Sequence, residues 1–144
     1  MKQNAGILQQ AKFLGLMLQI IAVSMVYETR AEHILASIPF GYDVTSSEYE
    51  DVERRMTVVC IFFYVTAFLE FFIIFWGQTL FNVQMNLLMV FAHAASIIWL
   101  LDFKARKAQV SSLSATLVFA GCGPFLLELS SALFTFMNYR RKDA

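Results

Sequence analysis

Four apolar runs parted by polar stretches divide the chain, at residues 11–27, 56–77, 84–101 and 113–137. A helix of about 20 apolar residues crosses a hydrocarbon core of ~30 Å, so the pattern predicts an all-α, four-span antiparallel transmembrane helix bundle. Residues 1–144 read as a single membrane domain. The first run is the shortest, giving about 25 Å at ~1.5 Å per residue, and Lys12 at its edge is expected to snorkel to the interface. The fourth is the longest and has to tilt, bend or protrude, with Pro124 supplying a bend.

Residues 28–55 form the longest polar stretch and read as a partly ordered loop. Pro39 and Gly41 carry turn chemistry there. Thr45 with Glu48 fits a capping box, so a helix is expected to begin at that point and run into the second span. Residues 78–83 have the length of a tight helix connection, which predicts that spans two and three lie side by side and antiparallel.

Small and polar residues recur at helical spacing within the runs. They form the stripes Gly15, Gln19, Ala22; Thr66, Glu70, Gly77; Asn86, His93, Ser96; and Gly121, Pro124, Glu128, Ser131, Thr135. Such stripes are expected to face other helices, while the many aromatics of the second span face lipid. Each span thereby brings one strongly polar residue into the membrane interior: Gln19, Glu70, His93 and Glu128. A carboxylate at that depth costs at least ~2.5 kcal/mol and must face protein or water. The structural reading has these four hydrogen-bonding to one another, with Glu70 and Glu128 as neutral acids and Gln19 or His93 as partners of Glu128. The alternative is a small proton- or ion-conducting protein that uses Glu70, His93 and Glu128 as a relay.

Composition agrees with the bilayer: 58% of residues are hydrophobic, 15% are charged, and mean hydropathy is +0.60. Eleven basic and eleven acidic residues cancel, so no charge surplus points to nucleic acid. Two histidines and two cysteines without ligand spacing argue against a metal, a cofactor or an enzyme. Five Lys and Arg flank the spans on the terminal side and six lie in the loops across the membrane, so the positive-inside rule decides little. Lys2 and Lys12 against Arg30 around the first helix lean toward cytosolic termini.

Several of these residues together resemble a known family. Glu70, Leu80-Phe81-Asn82, Ala92-His93 and Pro124 four residues before Glu128, preceded by Pro39 and by Thr45 with Glu48-Tyr49-Glu50, are similar to the transmembrane protein 107 family. The likeness runs from about Ile38 to the basic C-terminus and departs at Ser46 and in the loop from Lys104 to Ser112. It implies a non-enzymatic scaffold in the ciliary transition zone membrane that recruits membrane partners of the MKS module and supports the diffusion barrier and cilium assembly. It also implies cytosolic termini. The segment holding Pro39, Glu48, Tyr49 and Glu50 is the candidate partner loop, on the extracytosolic side, and membrane lipid is the other expected partner.

Overall fold

The computed structural model describes residues 2–39, 44–76 and 83–142. Five helices make up these residues: α1 (Lys2–Glu28), α2 (Arg30–Leu35), α3 (Ser47–Trp76), α4 (Val83–Arg106) and α5 (Val110–Lys142). The four long ones are each long and apolar enough to cross a membrane. Each begins before its apolar run, and α1, α4 and α5 also end beyond theirs, because hydropathy marks the part of a helix that suits lipid and not where its hydrogen bonding ends.

Buried positions repeat at three and four residues on every long helix. On α3 they are Met56, Cys60, Phe63, Ala67, Glu70 and Ile74; on α1 they include Leu16, Gln19, Val23 and Val26. That spacing keeps one stripe of each helix toward its neighbours along the whole span. The opposite faces carry Phe68, Phe75, Phe91, Trp99 and Phe119, all exposed in the isolated chain and suited to lipid.

Helix order round the bundle is α1, α4, α5, α3. The most extensive contacts are α1 with α4 and α3 with α5, followed by α4 with α5 and α1 with α3. Spans two and three, α3 and α4, are therefore not side by side as their short connection suggested; they face each other across the diagonal. Neighbouring axes at ~8–10 Å put diagonal helices about 13 Å apart, and six residues reach about 20 Å, so a short connection does not force adjacency. The connection itself falls at 77–82, outside the described residues.

Two glycines set how closely adjacent helices approach. A Cβ on Gly15 of α1 would stand 3.0 Å from His93 Cβ of α4. One on Gly121 of α5 would stand 2.9 Å from Thr66 Oγ1 and 3.2 Å from Phe63 Cδ2 of α3. Pro124 lies inside α5, which continues through it as one helix.

The far end of the bundle is closed by α2, a helix that hydropathy did not reveal. His33 is buried there, stacked on Phe103 of α4 with ring centroids 4.5 Å apart, and its Nδ1 is 3.1 Å from the Ala108 carbonyl oxygen. The Val110 amide donates to Ser37 Oγ at 2.7 Å, so α2's trailing turn satisfies the first amide of α5. Partly exposed Arg30 adds a 3.1 Å bond to Glu53, which raises the pKa of its guanidinium. Helix α4 ends where Lys107 turns left-handed at φ 50°, and Ala108 N donates back to the Phe103 carbonyl at 3.3 Å.

The start of α3 is one residue later than the capping box predicted. Ser46 is its cap, its hydroxyl accepting from the Tyr49 amide at 3.2 Å. Tyr49 then stands where a reciprocal box requires Glu, and Glu48 instead receives the Ser47 hydroxyl at 3.2 Å.

Candidate functional site

Six of the buried polar side chains gather in two layers. Lys12 of α1, Asn86 of α4 and Glu128 of α5 make the first. Lys12 Nζ donates to Glu128 Oε1 at 2.8 Å and Oε2 at 2.9 Å, and to Asn86 Oδ1 at 3.2 Å. The Lys12 side chain is 1% exposed and that of Glu128 0%, so Lys12 does not snorkel: its ammonium ends on the Glu128 carboxyl group inside the bundle. Glu128 correspondingly pairs with Lys12 as a salt bridge and is not bonded to Gln19 or His93.

Gln19, Glu70 and His93 make the second layer, two turns away, or about 10 Å along α1 and α4. His93 Nδ1 is 2.6 Å from Gln19 Oε1, and its Nε2 is 3.0 Å from Glu70 Oε1. Gln19 Nε2 donates to the Ala120 carbonyl of α5 at 2.8 Å. One layer thus joins side chains of α1, α3 and α4 to the backbone of α5. Helices that barely touch along the α3–α4 diagonal are bridged by Glu70 and His93, and the other diagonal by Lys12 with Glu128.

Of the four residues singled out from the sequence, Gln19, Glu70 and His93 lie together and Glu128 lies apart from them. Lys12 was missed as a member, although it sits seven residues before Gln19 and three before Gly15 on the same stripe. Asn86 and Thr66 are buried as their stripes suggested, while Ser96 and Thr135 are half-buried; Gly77 is outside the described residues. Ser131 is buried, and its hydroxyl has no hydrogen-bond partner among the described residues.

In the candidate partner loop, Pro39 and Glu50 are exposed, Glu48 is half-buried and Tyr49 is buried in the core. Any surface a partner reaches there involves the first three, and Tyr49 holds the segment in place. Residues 40–43 lie outside the described residues.

Among the described residues no three His, Cys, Asp or Glu side chains gather as metal ligands. Four apolar helices tied by buried hydrogen bonds across both diagonals define a multi-pass membrane protein. The chain belongs to the TMEM107 transmembrane protein family, whose family model matches residues 8–132. That match takes in the first helix as well as both polar layers. Membership makes the chain a non-enzymatic membrane protein, consistent with residence in the ciliary transition zone membrane. No curated protein and no solved structure matches it.

Proposed function

We propose that this protein is a scaffold of the ciliary transition zone membrane that recruits partners of the MKS module and supports the diffusion barrier and cilium assembly. Family membership is the observation that carries the reading. The fold supports it: Lys12 with Glu128 and Glu70 with His93 are bonded to one another inside the bundle, and among the described residues the helices present large apolar faces outward. A protein of this shape acts by what it binds. Its partners would be other membrane proteins of the same zone, met in the bilayer through the helices and outside it through Pro39, Glu48 and Glu50.

Conduction through Glu70, His93 and Glu128 has less support, since Glu128 is occupied by Lys12 in a separate layer. A tagged copy expressed in a ciliated cell tests the proposal. Concentration in a narrow zone at the base of the cilium, with MKS-module membrane proteins co-purifying, is the expected result; an even spread over the plasma membrane would contradict it.

A further inference from the structure

We infer that His93 carries a hydrogen on Nδ1 and shares one further proton with Glu70, in an arrangement set from the other side of the bundle by Pro124. Proline has no N–H, so the carbonyl four residues before it in α5, that of Ala120, lacks its helical donor. Gln19 Nε2 fills that place at 2.8 Å. A carbonyl only accepts, so the amide nitrogen of Gln19 has to point there, and the amide oxygen then faces His93 Nδ1 at 2.6 Å. That oxygen also only accepts. His93 Nδ1 must therefore carry a hydrogen.

With Nδ1 protonated, the opposite ring nitrogen has two states. A neutral ring offers Nε2 as a lone pair and needs a protonated Glu70 to donate to it across the 3.0 Å contact; an imidazolium offers Nε2–H to a Glu70 carboxylate. Both states contain one proton on the Glu70–His93 pair besides the one on Nδ1. Removing it leaves a carboxylate facing a lone pair, and adding another leaves a net cation. Among the described residues, the hydrogen bonds leading away from the pair run to uncharged groups. The first turn of contact on α1 brings uncharged Gln19 and that on α5 a backbone carbonyl; Lys12 and Glu128 neutralise each other in the other layer, and the Tyr64 hydroxyl of α3 is engaged by Ser24 at 2.9 Å. The sequence of bonds ends on a backbone carbonyl, which can take no proton onward. The inference stands on this donor and acceptor geometry and does not depend on the scaffold reading.

Nuclear magnetic resonance on the full chain in lipid nanodiscs, with ¹⁵N-histidine and ¹³C-glutamate labels, reads both groups. His93 is expected to carry Nδ1–H and to share one further proton with Glu70. A neutral His93 protonated at Nε2, or a Glu70 carboxylate beside a neutral ring, would overturn the inference. Gln19 acts as a positioning residue, so Gln19→Leu is expected to release the ring and let the Nε2–H form appear; an unchanged tautomer would break the link to Pro124. If Gln19→Leu does not accumulate, the wild-type spectra still decide the proton count.

Discussion

Removing the Glu128 charge is expected to cost about 3–5 kcal/mol, because Lys12 would remain as a cation without its counter-charge in the apolar interior. Glu128→Gln should therefore unfold early in a denaturant titration in mild detergent. Lys12→Met combined with Glu128→Leu should recover most of the loss, since apolar pairs of similar volume often replace buried ion pairs without penalty. Glu70→Gln belongs to a different case, because glutamine can donate to His93 Nε2 and leave a neutral, satisfied pair. The sequence showed Gln19, Glu70, His93 and Glu128 by their contrast with apolar neighbours. It could not show Lys12 in the same way, since a lysine at the edge of a run has a route to water and only its register with Gln19 points inward. Nor could it pair the residues, because pairing depends on helix order.

Helix packing separates glycines that hydropathy cannot tell apart. Gly121→Ala drives a methyl group against Thr66 and Phe63 and is expected to destabilise the bundle by about 1–3 kcal/mol. Gly123→Ala meets nothing within 4 Å and should stabilise α5 by up to ~1 kcal/mol through helix propensity alone. The same detergent unfolding measurement compares the two, and equal effects would contradict the α3–α5 contact. At the other end, Ser37→Ala takes from the Val110 amide its acceptor and should cost about 1 kcal/mol, seen as faster amide hydrogen exchange at residues 108–113. Helix α2 was illegible in the sequence because six residues are too few for a periodic pattern. What holds it is tertiary: His33 against Phe103 and Ala108, and Arg30 against Glu53.

Over the whole molecule, the four spans were legible from hydrophobic runs alone, whereas their order was not. Chain length between spans limits distance without choosing between an adjacent and a diagonal neighbour. Burial of Lys12 also changes the charge tally, leaving four Lys and Arg on the terminal side against six in the loops opposite. Charge bias then leans away from cytosolic termini, and the proposal of cytosolic termini rests on the family likeness. A C-terminal epitope should accordingly stain only after the plasma membrane is permeabilised. The central claim is that the buried polar groups hold the bundle together so that its outer surface can recruit neighbours. Rescue of ciliated cells lacking the protein with Glu70→Gln, scored by the amount of MKS-module membrane proteins at the transition zone, tests it most directly. Recruitment equal to that of the wild-type chain is the expected result; a Glu70→Gln protein that is abundant and correctly located yet recruits nothing would show that a titrating carboxylate is required and contradict the account.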